Sequence, residues 1–349
     1  PPLEELARAI QHAIARDPEK PLYYDDHTIR TFLGSLASAD LTLLQGPSGT
    51  GKTSLPLAVG RAIGASVHRI PVQAGWRDRA DLVGDYNAFS ERFRSTAFTE
   101  ALYRARLPAC QDQAFFVVLD ECNLSQMEYY FADLLSELED WSQDLKHIRL
   151  FDEKAPPNMK APSHLKDGTH LLLPPNVRYF GTANQDETTF GIADKTYDRA
   201  AVILLEERAK KFAPARAVRR AISWSSLKGR LDEAIDQPTH DRQGIHKFVN
   251  ALESLYMREF GFGLGNRFEE RIVGQFLPVY VAAGGEASDG LDHLVRTRIV
   301  RRLERSRDPA LIEPLHQLDA LLVKQWPFTG AEPTASRLAL EKVIKRVGG

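Results

Sequence analysis

Apolar residues follow two different rhythms along this 349-residue chain, and the rhythm changes near residue 206. Before that point, short apolar runs alternate with helical patterns. Leu3 to Ala15 and Asp25 to Leu36 carry helical spacing. Strands are predicted at Leu41–Gln45, Ser66–Val72, Ala114–Leu119, Val177–Gly181 and Ala201–Leu205. The run Ala114-Phe-Phe-Val-Val-Leu119 has no polar alternation, as expected of a central parallel strand covered on both faces. Helices are predicted between these strands at Lys52–Ile63, Ser95–Arg106 and Met127–Trp141. Residues 142–175 are rich in Pro, Lys and Asp, with apolar runs only at Ile148–Phe151 and Leu171–Leu173, which predicts a β-hairpin with a long tip. Five strands alternating with helices predict a parallel α/β sheet, with ligand chemistry at its carboxyl edge. Past Glu206 no strand pattern is convincing. The expected organisation is an α/β domain over residues 1–206, with inserts near 84–94 and 142–175, then an α-helical domain over 207–349.

Composition adds exclusions. No apolar stretch reaches membrane-spanning length, and no charged-then-apolar segment opens the chain, so a cytoplasmic protein with no membrane partner is expected. The chain starts Pro1-Pro-Leu-Glu4 without Met, as expected of a piece of something longer. A net charge of -2 argues against attraction of the whole chain to nucleic acid, leaving local patches to consider. Two cysteines, Cys110 and Cys122, cannot build a disulfide framework or a metal site alone, and Cys122 reads as a small buried residue.

The strand Leu41–Gln45 leads into Gly46, Pro47, Ser48, Gly49, Thr50, Gly51, Lys52 and Thr53, followed by Ser54 and a helix. This is the full G-x-x-x-x-G-K-[ST] pattern in its required strand–loop–helix setting. The glycines permit the tight backbone path by which N–H groups face phosphates. Lys52 neutralises phosphate charge and the Thr53 hydroxyl can ligate Mg²⁺. The loop implies binding of a nucleoside triphosphate.

Asp120-Glu121 ends the apolar strand, and neighbouring strand ends of a parallel sheet lie side by side, so Asp120 can approach Thr53 and the metal. One carboxylate then serves Mg²⁺ while the next, Glu121, polarises an attacking water. Asn184, closing Gly181-Thr-Ala-Asn184, can orient that water or sense the γ-phosphate, although an isolated Asn there is more often a turn former. Arg199, in Asp198-Arg199 at the start of the last strand, suits delivery to a neighbouring subunit's phosphate or an internal salt bridge.

The order of these motifs, from Gly46–Thr53 through Leu119-Asp-Glu-Cys-Asn-Leu124 and Gly181-Thr-Ala-Asn-Gln-Asp-Glu-Thr-Thr189 to Asp198-Arg-Ala200, resembles the AAA+ superfamily. More narrowly it resembles the McrB-like branch, related to the MoxR group, dynein and the magnesium chelatases. Tyr24-Asp-Asp26, Ile29-Arg-Thr-Phe32, and Trp76 ahead of Asp81-Leu-Val-Gly84 fit the same branch. The likeness covers residues 20–206 well and the helical remainder loosely. It implies a P-loop NTPase fold with a five-stranded parallel sheet followed by a helical lid. By resemblance Glu121 is the catalytic base, Asn184 the first sensor, and Arg199 an arginine finger acting on a neighbour's nucleotide. Two hairpins, near 84–94 and 146–173, match inserts that in such rings face the pore or a partner. For the second sensor, Arg267 in Gly265-Asn-Arg-Phe-Glu-Glu-Arg271 is the leading candidate for contacting the nucleotide, with Arg298 behind it. GTP-using McrB proteins carry Asn, two residues, then Asp-Arg. The run Asn184-Gln-Asp-Glu-Thr188 places Asp one residue early and lacks the Arg, which makes ATP the expected nucleotide and GTP the alternative.

What the resemblance implies for function is a ring, hexameric by family expectation, that couples hydrolysis to remodelling or translocation. A McrB-like setting adds a McrC-like nuclease partner and a restriction or defence role. The alternatives are a MoxR-like protein-remodelling chaperone and a slow nucleotide-dependent assembly switch. Two basic runs, Arg208 to Arg220 and Arg296 to Arg307, are candidates for nucleic-acid contact. The second lacks interleaved aromatics, and its Val295, Ile299 and Leu303 form an apolar stripe that packs the helix into the lid.

Overall fold

The computed structural model describes residues 2–348 except 88, 139–145, 152–163, 185–188, 216–220, 238–240 and 266–267. The chain divides into two compact units. The α/β unit comprises Ala9–Asp25 and Asp40–Lys228, and the helical unit comprises Pro1–Arg8, Asp26–Ala39 and Gly229–Gly349.

Nine described strands belong to the α/β unit: β1 (Leu41–Gln45), β2 (Ser66–Pro71), β3 (Gly84–Asn87), β4 (Arg92–Ser95), β5 (Phe115–Asp120), β6 (His147–Arg149), β7 (His170–Leu172), β8 (Val177–Ala183) and β9 (Ala200–Leu204). Five form one parallel sheet, as the alternation of runs and helices predicts, and their order is β2-β5-β8-β1-β9. β1 and β5 are buried at every position, which explains their unbroken apolar runs. The remaining four strands make two antiparallel hairpins, β3–β4 and β6–β7, at the two predicted inserts. The helix expected over Met127–Trp141 is interrupted at Phe131, giving Met127–Tyr130 and Ala132–Glu137. Its expected end at Trp141 lies outside the described residues.

One strand boundary moved for a reason that matters to the site. β8 runs to Ala183, two residues past the expected Gly181. Thr182 and Ala183 keep their pairing with Leu44 and Gln45, and Thr182 O accepts the Cys122 N–H at 2.8 Å. The central strand therefore delivers a threonine to the carboxyl edge.

The helical unit has its own core around Phe248, Tyr256, Phe276, Tyr280, Val295, Ile299 and Leu303. The apolar stripe Val295, Ile299 and Leu303 is buried as its spacing predicts. No strand follows residue 204 among the described residues. No described helix is long and apolar enough to cross a membrane.

Candidate nucleotide site

The loop after β1 is shaped by positive φ angles at Gly46, Gly49 and Gly51. At Gly46 a Cβ would lie 2.0 Å from Leu205 O, so no other residue fits beside β9. The regular helix begins at Ser54 rather than Lys52: Leu55 N donates to Gly51 O at 2.9 Å, but Pro56 has no N–H to offer Lys52 O. Thr53 occupies the N-cap with no capping hydrogen bond. Its hydroxyl is committed elsewhere, donating to Asp120 Oδ1 at 2.6 Å. Lys52 is buried and donates to Pro47 O at 2.6 Å, and Thr50 Oγ1 donates to the same carbonyl at 3.0 Å. Ser48 and Gly49 lie exposed at the loop's crest.

Two side chains outside the loop hold its carbonyls. Tyr24 donates its hydroxyl to Gly51 O at 3.0 Å, and burial pushes its pKa up, keeping it a donor. Arg208, from the first basic run, donates Nε to Gly49 O at 2.8 Å. Arg216, Arg219 and Arg220 of that run lie outside the described residues.

Asp120 closes β5 and is buried. Burial pushes its carboxyl up, but hydrogen bonds from Thr53, Arg69 and Thr182 outweigh that and hold it below the ordinary carboxylate range. Thr182 Oγ1 donates to Asp120 Oδ1 at 2.9 Å and accepts the Glu121 N–H at 2.9 Å. One threonine on β8 thus fixes both carboxylate residues.

Glu121 has φ +53°, a left-handed conformation rare for a residue with a side chain. Its carboxylate is exposed, and Asn184 Nδ2 lies 3.5 Å from Glu121 Oε1. Asn123, buried in the same turn, donates Nδ2 to Asn184 O at 2.9 Å and to Phe190 O at 3.2 Å. The turn after β5 and the segment after β8 are tied together at that point. Cys122 is fully buried, and burial pushes its thiol up to about 12, so it is core rather than nucleophile.

Thr53, Asp120, Glu121 and Asn184 therefore converge at the carboxyl edge. Arg199 does not join them. Ala200 pairs with Leu41 at the start of β1, whereas the loop leaves the other end of that strand. The separation is about 13 Å at 3.3 Å per residue of strand. The helix Asp194–Tyr197 before it is anchored by Glu128, which accepts from Ala193 N at 2.7 Å and Thr196 Oγ1 at 3.2 Å. Of the two lid candidates, Arg267 lies outside the described residues, and Arg298 is buried within the helical unit.

Several contributors escaped sequence reasoning. Thr182 would follow from extending β8 by two residues, which its Thr-Ala composition did not signal. Arg69, Asn123 and Glu128 act through contacts between segments that only the strand order brings together.

The donor chemistry fits a magnesium nucleotide. A threonine hydroxyl and a carboxylate are hard oxygens, and Mg²⁺ commonly takes one or two protein oxygens beside phosphates and water. Among the described residues no set of three His, Cys, Asp or Glu could hold a metal unaided. The glycine backbone at a helix start is the surface phosphate requires.

Comparison with known proteins agrees. A solved structure from Cytophaga hutchinsonii ATCC 33406, described as a "putative ATPase", is similar at TM-score 0.51 and 16% identity. The match covers 80% of this chain and 82% of that one, and speaks for the fold. Among curated proteins none matches. A family model, the AAA domain (dynein-related subfamily), matches residues 42–200. The loop, the paired carboxylates and Asn184 described above fall within that span, and residues 42–200 match the AAA domain of the dynein-related subfamily, on a P-loop NTPase fold.

Proposed function

We propose that this chain is an ATP hydrolase that works as a ring, each site being completed by a neighbouring subunit. The observation that carries the reading is Glu121, a carboxylate on a left-handed backbone beside Asp120, with Thr182 and Asn184 as its partners. Backbone strain of this kind persists where the surroundings hold it, and functional sites are where it clusters.

ATP would rest on Gly46–Thr53 with Lys52, and Mg²⁺ on Thr53 and Asp120; once bound, the metal neutralises charge on the transferring phosphoryl group. Glu121 accepts a proton from the attacking water, and Asn184 orients that carboxylate. The AAA domain supports hydrolysis in general terms. The preference for ATP rests on the departure of Asn184–Thr188 from the GTP-using pattern.

Arg199 is the proposed finger. Its place at the opposite edge of the sheet from its own loop supports action on a neighbour's phosphate. A McrB-like motor of a restriction or defence system, with a McrC-like nuclease partner, is our finer reading. Its support is the motif order and the two hairpins. At the β3–β4 tip Asn87 Oδ1 accepts from Phe89 N and Ser90 N, and Phe89 is fully exposed, as a partner-facing tip would be.

Turnover measured against protein concentration, with ATP and GTP side by side, tests the shared site. Specific activity should climb steeply as subunits assemble. Arg199→Ala should lose about 10³-fold or more in turnover while still binding nucleotide. A variant that hydrolyses like the wild type would sink the finger assignment.

A further inference from the structure

Asp120 has no acceptor position to spare. Oδ1 accepts from the Thr53 and Thr182 hydroxyls, and Oδ2 accepts from both Nε, at 2.8 Å, and Nη2 of Arg69. A carboxylate offers about four such positions. A cation, or a water carried by one, can use Asp120 only when a present donor withdraws.

The three donor residues are not equally able to do so. Thr53 belongs to the metal site itself, and its oxygen keeps lone pairs for a cation while its hydrogen stays on Asp120. Thr182 is buried on central strand β8, and its hydroxyl also accepts the Glu121 N–H. Arg69 stands on β2, the edge strand, with its side chain 58% exposed. Its long stem can swing into water without disturbing the core. Charge points the same way, since a guanidinium is permanently positive and opposes a divalent cation at a shared carboxylate.

We infer that Arg69 competes with Mg²⁺ for Asp120, so that this edge-strand arginine sets the Mg²⁺ concentration the nucleotide site requires. The inference rests on the proposed nucleotide reading. Arg69 is a positioning residue, acting through Asp120.

The test is binding of a fluorescent N-methylanthraniloyl ATP analogue to the full chain, titrated with Mg²⁺. Arg69→Gln, which keeps a donor but loses the charge, should reach half-maximal Mg²⁺-dependent binding at about tenfold lower Mg²⁺, in the range typical of changes next to metal ligands. Arg69→Lys keeps the charge but not the paired donors, and should fall between Gln and the wild type. If melting curves show that the Gln variant does not fold, the Lys variant decides alone, and an unshifted midpoint overturns the inference. An unchanged or raised Mg²⁺ midpoint in a folded Gln variant also overturns it. So does weaker binding at every Mg²⁺ concentration with the midpoint fixed, which is what a merely structural arginine would give. Failure of the wild type to bind the analogue at any Mg²⁺ concentration would overturn the nucleotide reading and this inference with it.

Discussion

Glu121 joins the proposed proton-accepting carboxylate to a backbone that its own Cβ disfavours, at φ +53°. Chemistry and stability therefore make opposite demands at one residue. Glu121→Gln keeps the shape and removes the proton acceptor, so hydrolysis should fall about 10²- to 10⁴-fold with nucleotide binding intact. Glycine adopts the left-handed region without the Cβ penalty, so Glu121→Gly should be about 1 kcal/mol more stable than Glu121→Ala. Denaturant unfolding of the two variants measures the difference, and equal stabilities would mean the turn is not strained. The carboxylate pair was legible in the sequence, because an apolar run ending in Asp-Glu after a phosphate loop has few other meanings. The backbone angle was not, since nothing in the residue types marks a left-handed Glu.

At the scale of elements, the site depends on β8 lying between β5 and β1, and Gly181 leaves room for the side chains packed over β8 there. A Cβ there would lie 2.9 Å from Leu43 Cδ2 and 3.0 Å from Cys122 Sγ. Gly181→Ala should cost about 1–3 kcal/mol by overpacking, and Cys122→Ala in the same chain should recover part of it. A double-mutant cycle by thermal melting reads the coupling, and simple additivity would place the crowding elsewhere. The five core strands were readable from their apolar runs, the β6–β7 hairpin from the composition of its insert, and the β3–β4 hairpin only through the family resemblance. Their order was not readable, because a run of Val, Leu and Phe carries no record of its neighbours. That is why Thr182 was missed: its role exists only because β8 separates β5 from β1. Arg69 was missed for a related reason. On an edge strand an arginine looks like ordinary solvated surface until its reach to Asp120 is seen.

For the whole molecule, the parallel sheet assigns jobs to its two edges. The carboxyl edge gathers Thr53, Asp120, Glu121 and Asn184, and the opposite edge presents Arg199. Under the proposed ring, an acceptor subunit and a donor subunit need different residues, so two inactive proteins can repair each other. Glu121→Gln subunits still offer Arg199, and Arg199→Ala subunits still offer Glu121. Mixed in equal amounts and allowed to exchange, about a quarter of the head-to-tail interfaces would pair a sound donor with a sound acceptor. Two preparations that are each dead in an ATPase assay should then turn over ATP together, and a mixture that stays dead would return Arg199 to its own subunit. Complementation of this kind makes the unit of function the junction between chains, not the chain.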